Sequence, residues 1–225
     1  MRRNLVLTLA LLIVLPLFAQ EAAQTAPAPA IGADELWSAL LQGNKQFMAG
    51  TITYDKLKEE RAMLHDHQLP PITVLACSDS RVPPELVFNQ SLGALFVVRS
   101  AGNVADELGV ASVEYAIAQG YTKLVVVLAH ENCGAVVASL GGADPATRAL
   151  TALATRIRTS FLGVPYDSRD PANVKKAVEM NARASAAQLL ASSILIRDAA
   201  ATEQIKLVTA YYDLGTGEVK QLSGQ

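Results

Sequence analysis

Long continuous apolar runs alternate along this chain with segments whose apolar residues recur at helical spacing. Three runs are typical of strands buried on both faces: ITVLA (72–76), ALFVVRS (94–100) and KLVVVLA (123–129). Helical spacing marks four longer segments: 34–49, 106–120, 145–161 and 171–199. This alternation predicts an α/β fold with a parallel-sheet core of about four strands covered by helices. The segments IKLVTAYYDL (205–214) and VKQL add a C-terminal antiparallel strand or hairpin.

The first 23 residues differ from the rest. Arg2 and Arg3 precede the apolar stretch LVLTLALLIVLPLFA, which has the length of a signal peptide, and small residues follow it. An uncleaved membrane anchor is the alternative, although the stretch is short for a span of about 20 residues. We predict a signal peptide over 1–23, a flexible tether over 24–32 and one domain over 33–225. The domain is then exported to the periplasm and keeps no stable membrane span after processing.

Composition narrows the class of protein. Of the 225 residues, 51% are hydrophobic and 18% are charged, and the formal net charge is -2. Such a chain can bury one sizeable core. Basic residues form no cluster beyond Arg2-Arg3 and Lys175-Lys176, so the sequence argues against a nucleic-acid partner.

The only two cysteines, Cys77 and Cys133, each follow an apolar run. Count and compartment alone favour a disulfide between them. Their positions favour another interpretation, because the carboxyl ends of parallel strands meet at one edge of a sheet and His130 lies there too. Two thiolates and an imidazole suit Zn²⁺, and three protein ligands leave the fourth position open, as in catalytic zinc sites.

Asp79 and Arg81 closely follow the first cysteine. A carboxylate at this position can accept a hydrogen bond from a metal-bound water, and a neighbouring guanidinium can hold that carboxylate ionised and oriented. The alternative is an ordinary ion pair in a loop, which contributes little.

Three stretches, CSDSRVPPE, LFVVRSAGN and HENCGAV, resemble the β-class carbonic anhydrases, whose hallmarks are C-x-D-x-R followed by H-x-x-C. The similarity runs from LLQGNKQFMAG to YYDLGTGEV. It implies one Zn²⁺ per chain, bound by Cys77, His130 and Cys133, with Asp79 and Arg81 as a catalytic dyad. The implied reaction is the reversible hydration of CO₂ to bicarbonate and a proton, by attack of a zinc-bound hydroxide. The implied assembly is a homodimer or tetramer in which the N-terminal helix embraces the partner subunit.

The same resemblance assigns four further residues to substrate. Gln68 would donate a hydrogen bond to substrate, Phe96 and Tyr115 would wall the CO₂ pocket, and the Gly134 backbone N–H would face the site. The alternatives are a surface loop for Gln68 and ordinary core packing for the two aromatic residues.

Family members rest either with water at the fourth metal position or closed, with the dyad aspartate on the metal. In the closed form a Trp, an Arg and a Tyr hold bicarbonate nearby. Val74 stands at the Trp position and Arg99 matches the Arg. We therefore expect an open site, with Asp79 as a fourth ligand only in a closed state.

Alternatives to this function remain at the level of sequence. The same fold and metal could serve a hydrolase of carbon disulfide or carbonyl sulfide. A non-enzymatic exported domain with a Cys77–Cys133 disulfide is the other alternative. His65 and His67 in HDH are interpreted as solvated loop residues rather than a second metal site or a proton relay.

Overall fold

A computed structural model of the protein describes residues 31–142 and 145–223. The predicted signal peptide and most of the predicted tether lie outside these residues. The helices are α1 (Ala33–Met48), α2 (Leu57–Met63), α3 (Pro84–Val87), α4 (Glu107–Ala118), α5 (Gly134–Leu140), α6 (Arg148–Ser160), α7 (Pro171–Ser192) and α8 (Ile194–Ala201). The strands are β1 (Ile72–Cys77), β2 (Leu95–Ser100), β3 (Leu124–His130), β4 (Lys206–Tyr212) and β5 (Val219–Gln221).

The strands form one sheet in the order β2-β1-β3-β4-β5. The first four in this order are parallel, and β5 pairs with β4 in the antiparallel sense. The structure thus confirms the predicted α/β fold with a parallel core and a C-terminal antiparallel strand. The central strands β1 and β3 are buried along their whole length, as their continuous apolar sequences require.

Helices cover both faces of the sheet. One face packs against α4, α5, α6, α7 and α8, and the other packs against α1 and α3. Leu36, Trp37 and Leu40 of α1 are buried with Val74 and Phe88 of the same chain. We expected α1 to lie on a partner subunit, but its apolar face already has a surface within its own chain.

The prediction that all three apolar runs are buried on both faces is wrong for β2. This strand lies at the edge of the sheet, and its residues are half-buried or, at Arg99, exposed. An apolar run specifies a strand but not its place in the sheet, so the sequence did not distinguish this edge strand from the central ones.

The helix predicted over 171–199 is in fact two helices. Ser193 adopts an extended conformation between α7 and α8, and its hydroxyl accepts a hydrogen bond from the Ile196 N–H, which caps α8. The short helices α2 and α3 were not predicted. Within the described residues, no helix is both long enough and apolar enough to cross a membrane.

Candidate metal centre

Two neighbouring strands bring three metal-type donors to one buried point. Cys77 ends β1, His130 ends the adjacent parallel strand β3, and Cys133 precedes the first residue of α5. One donor atom from each residue lies within 4.8 Å of the other two, and all three side chains are buried. The convergence at the carboxyl edge of the sheet follows from parallel pairing of β1 with β3.

The two sulfur atoms and the imidazole nitrogen are all available to bind a metal ion. Both cysteines are free, with their Sγ atoms 3.9 Å apart. That separation is well beyond the S–S bond length of about 2.05 Å, so the alternative of a disulfide is not realised in the structure. The Nε2 atom of His130 is buried and has no hydrogen-bond partner among the described residues. Two thiols and one unpartnered imidazole nitrogen therefore form a donor set that fits Zn²⁺.

The backbone fixes the orientation of the imidazole. His130 Nδ1 lies 2.9 Å from the carbonyl oxygen of Glu131, and because a carbonyl only accepts, Nδ1 carries the proton and donates. The lone pair is then on Nε2, next to the cysteines. The loop is held in turn by the Glu131 N–H, which donates to the Tyr212 carbonyl at 2.8 Å. This outer support is of the kind that orients histidine ligands in metal sites.

The two sulfur atoms are joined by a hydrogen bond that shifts their pKa values in opposite directions. The hydrogen bond from Cys133, together with those from the backbone N–H groups of Asp79 and Gly102, lowers the pKa of Cys77 to about 4, against the effect of burial. Donation of that hydrogen bond to Cys77, together with burial, raises the pKa of Cys133. Cys77 is thus the sulfur that the surrounding donors stabilise as a thiolate.

Asp79 and Arg81 form a two-pronged ion pair beside the donors. The Arg81 Nε donates to Asp79 Oδ1 at 2.9 Å, and Nη2 donates to Oδ2 at 2.7 Å. The backbone N–H of Arg81 adds a third hydrogen bond to Oδ1 at 3.0 Å. These bonds hold the pKa of the Asp79 carboxyl well below its usual range. Asp79 Oδ2 lies 3.9 Å from Nε2 of His130, so the ionised carboxylate borders the metal centre without joining its three donors.

Arg99 holds the loop that carries this pair. Its guanidinium donates to the backbone carbonyls of Cys77 at 2.9 Å, Asp79 at 2.6 Å and Val82 at 3.2 Å. These hydrogen bonds connect β2 to the whole of the loop after β1. The sequence drew attention to Arg99 only as a match to a bicarbonate-binding arginine, and the structure adds that it supports this loop.

Comparison with known proteins identifies the family. Residues 72–219 match the family model described as carbonic anhydrase. The chain belongs to the carbonic anhydrase family. A carbonic anhydrase of Mycolicibacterium smegmatis is 45% identical over 109 residues, which are 48% of this chain and 53% of that protein. The chain thus spans about half the length of the relative that it matches.

Solved structures agree with this membership. The β-carbonic anhydrase CafA of Aspergillus fumigatus superposes with a TM-score of 0.67 at 27% identity, covering 83% of this chain and 90% of that one. A β-carbonic anhydrase of Coccomyxa, solved in complex with acetazolamide, gives a TM-score of 0.64 at 27% identity, covering 82% of this chain and 85% of that one. The resemblance inferred from the motifs is therefore confirmed.

The residues that the carbonic anhydrase resemblance assigned to substrate are spread over the chain. Gln68 is exposed in the segment between α2 and β1, and no hydrogen bond joins it to the metal centre within the described residues. Gly134 directly follows Cys133 at the start of α5, and apart from its chain neighbours and the backbone of its own helix no atom lies within 4 Å of the place where a Cβ would stand. Gly134 therefore borders open space next to one donor.

Phe96 and Tyr115 lie together but away from the donors of their own chain. Their ring centroids are 6.1 Å apart, and Tyr115 is half exposed. Phe96 pairs in register with Thr73, whereas Cys77 pairs with Ser100. The Phe96–Thr73 pair and the Cys77–Ser100 pair are four residues apart along the strands, which is about 13 Å at about 3.3 Å per residue. A single chain therefore does not place this aromatic pair against its own metal centre.

The other histidines and a large cavity beside α1 lie outside this centre. His65 bonds to its neighbour Asp66, both side chains are exposed, and the cysteine–histidine group is the only one of metal-binding type in residues 31–142 and 145–223. A cavity of about 840 Å³ between the start of α1, α7 and β4 contains none of the predicted site residues. The chemistry of this family member is thus concentrated at the edge of the sheet where β1 and β3 end.

Proposed function

We propose that this protein is a zinc-dependent enzyme that catalyses the reversible hydration of CO₂ to bicarbonate and a proton. One observation carries the proposal: Cys77, His130 and Cys133 offer three buried donors within 4.8 Å of one another, next to the ion pair of Asp79 and Arg81. A structural role for the donors alone would not require an ionised, oriented carboxylate 3.9 Å from Nε2.

Cys77, His130 and Cys133 would hold one Zn²⁺ through their two sulfur atoms and Nε2. Bound there, the ion supplies a Lewis acid that makes water a competent nucleophile near neutral pH. Three protein donors would leave room for one further ligand, which is typical of catalytic rather than structural zinc. The buried thiolates offset the positive charge of the ion, and burial of all three side chains keeps bulk water from the donors.

Asp79 would orient the attacking water. An ionised carboxylate only accepts hydrogen bonds, and each oxygen has room for about two of them. Oδ1 already accepts two, from Nε and the backbone N–H of Arg81, whereas Oδ2 accepts one from Nη2. The remaining acceptor site is therefore on Oδ2, the oxygen nearer His130. A water that donates a hydrogen bond to Oδ2 would direct a lone pair away from Asp79 and towards CO₂.

Arg81 would keep the Asp79 carboxylate oriented and ionised. Its planar guanidinium fixes the carboxylate by two parallel hydrogen bonds, so the acceptor has one orientation. It also lowers the pKa of Asp79, so the carboxylate stays ionised throughout the working pH range and does not take up the product proton.

We further propose that the resting site is open, with Asp79 beside the metal. Both oxygens of Asp79 are engaged by Arg81, and the guanidinium of Arg99 is engaged by three backbone carbonyls. Val74, at the position of the Trp in the bicarbonate-regulated members, is fully buried among apolar residues. These contacts favour a loop that holds Asp79 away from the ion.

We propose that the protein is a homodimer, because of where the aromatic pair of Phe96 and Tyr115 lies. Phe96 and Tyr115 lie on the edge strand and on a helix surface, about 13 Å along the sheet from the level of Cys77. They can therefore wall a CO₂ pocket only if that pocket belongs to a second copy. We propose that Gln68, which is exposed in its own chain, likewise serves the pocket of a second copy.

Export to the periplasm, expected from residues 1–23, is a separate proposal that cell fractionation can test.

The decisive experiment measures CO₂ hydration by stopped flow on the purified protein, with a metal count on the same sample. We expect about one zinc per chain and inhibition by acetazolamide, the compound bound in the Coccomyxa structure. The matched control is Asp79→Asn, which keeps the shape of the side chain and should keep the zinc. We expect this variant to lose activity by about 100-fold or more. A wild-type protein that carries zinc but does not hydrate CO₂ would refute the proposal.

A further inference from the structure

A buried amide lies behind the candidate metal centre. Asn181 is on α7, in the row of small and apolar residues that packs against the sheet, and is only 2% exposed. An amide in such a place costs free energy unless its polar atoms are paired. The position could hold an apolar residue like its neighbours Val178 and Ala182, so the partners of the amide indicate what it does.

The amide holds one loop carbonyl. Nδ2 of Asn181 donates to the Gly102 carbonyl oxygen at 2.7 Å, across 79 positions of sequence. On the other side, the Ser160 hydroxyl, which donates to the Ile157 carbonyl at 2.6 Å, lies 3.2 Å from Oδ1. The Gly102 carbonyl can only accept, so the amide nitrogen must face it, and this fixes the orientation of the amide.

Gly102 connects this amide to the metal centre. Its backbone N–H donates to the Sγ atom of Cys77 at 3.3 Å. Gly102 has a φ of +68°, the left-handed region that favours glycine, and a Cβ there would lie 2.8 Å from the Cδ1 atom of Ile157. One residue thus accepts from Asn181 and donates to Cys77, so the direction of its N–H depends on where its carbonyl is held.

We propose that Asn181 is a positioning residue for the Cys77 sulfur. By holding the Gly102 carbonyl, it keeps the Gly102 N–H directed at Sγ. A hydrogen bond to a thiolate withdraws electron density from the sulfur and restricts its position, which alters how strongly it binds a metal. This inference rests on the metal site of the proposed function, but it concerns residues that touch neither the metal nor the substrate.

The test compares two variants of α7 in the full-length protein. Asn181→Leu keeps the approximate shape of the side chain and removes the donor. Leu189→Ala removes buried volume from the same helix about 12 Å farther along, at about 1.5 Å per residue, and serves as the control for general destabilisation. The first readout is the thiolate-to-metal charge-transfer band of the Co²⁺-substituted proteins. The second is the rate at which the zinc-loaded proteins release Zn²⁺ to a chromogenic chelator.

Asn181→Leu should move the Co²⁺ band to longer wavelength, because a sulfur that loses its hydrogen bond is a better electron donor. Its zinc release should be about tenfold faster, the lower end of the effect of outer supporting residues on metal sites, because the loss of a fixed sulfur position outweighs the greater donor strength. Leu189→Ala should leave the band in place. If Asn181→Leu does not fold, Asn181→Ser gives the same comparison, because a serine hydroxyl is too short to reach the Gly102 carbonyl.

Two results would overturn the inference, and they separate it from the proposed function. If wild-type protein binds Co²⁺ through thiolates but the Asn181 variant matches Leu189→Ala in both readouts, Asn181 only packs the core. If wild-type protein shows no thiolate-to-cobalt band, the metal site itself is wrong, and the positioning role fails with it.

Discussion

Arg81 holds Asp79 by two parallel side-chain hydrogen bonds, from Nε to Oδ1 at 2.9 Å and from Nη2 to Oδ2 at 2.7 Å. Replacement by Lys keeps the positive charge but cannot reproduce the planar fork. We expect Arg81→Lys and Arg81→Ala to lower kcat/KM for CO₂ hydration, by about 100-fold for Ala, because the carboxylate is no longer fixed. Both variants should retain zinc, since Arg81 is not among its donors.

The pH dependence of the Arg81 variants has a definite sign. Arg81 lowers the pKa of Asp79, so wild-type Asp79 stays ionised as pH falls and its stabilising ion pair is lost only in strong acid. In Arg81→Ala the pKa of Asp79 should rise towards its ordinary value of about 3.9. NMR titration of the Asp79 carboxyl carbon would measure this, and an unchanged low pKa would show that Arg81 is not its cause.

Bound zinc should protect the two thiols from oxidation to a disulfide. Without zinc, Cys77 and Cys133 are free with sulfur atoms 3.9 Å apart, so diamide, a dithiol oxidant, should close them to a disulfide. With zinc bound, both sulfurs are engaged and should survive the same treatment. Counting free thiols after denaturation checks this, with His130→Ala as a weak-binding control. Equal oxidation of the zinc-loaded and zinc-free proteins would contradict the assignment of both sulfurs as ligands.

Asn44 joins the first helix to two distant segments, and its loss should destabilise the fold. Nδ2 donates to the carbonyls of Val87 at 3.0 Å and Gly217 at 2.8 Å, and Oδ1 accepts from the Val219 N–H at 2.9 Å. Asn44→Leu leaves these backbone groups buried without partners, at a cost of roughly 2–5 kcal/mol in the free energy of unfolding. Urea denaturation measures the change. Ser38→Ala, an exposed change on the same helix, should stay within about 0.5 kcal/mol of wild type.

Tyr211 should make the fold sensitive to alkali. Burial, with help from the nearby carboxylates of Glu131 and Asp213, raises the pKa of Tyr211 to about 12. The folded state therefore prefers the neutral phenol, and its stability is full below about pH 10 and is lost as pH rises through about 12. Between about pH 10 and about pH 12, the free energy of unfolding of Tyr211→Phe should fall by about 2–3 kcal/mol less than that of wild type. Tyr166→Phe, at an exposed ring, should leave the alkaline decline unchanged.

The donors of the metal centre could be predicted because they follow apolar runs directly. Cys77 and His130 end adjacent strands, so the parallel pairing that the runs predict is enough to bring them together. The dyad was also readable, because Asp79 and Arg81 are two residues apart and need only a local turn to meet. A local turn and the strand topology thus explain why the metal donors and the Asp79–Arg81 pair could be predicted from the sequence.

The supporting contacts could not be predicted, because they join residues far apart in sequence through side-chain directions that no local pattern encodes. Asn181 meets Gly102 across 79 positions, and nothing in the helical spacing of α7 distinguishes it from a solvent-facing polar residue. Arg99 was noticed for a family match, but its contacts with three carbonyls depend on the path of the loop after β1. The glycine in SAGN, which lies two residues after the end of β2, was the one available signal.

The contacts of Asn44 bear on the order in which the protein can mature. Its amide bonds to Gly217 and Val219, which a ribosome adds long after α1 has emerged. Until then the amide of Asn44 has only the Val87 carbonyl as a partner, so the nascent chain should be slow to close. Late closure of this kind would suit the export that residues 1–23 predict, because an open chain is easier to thread through a translocation channel than a closed one.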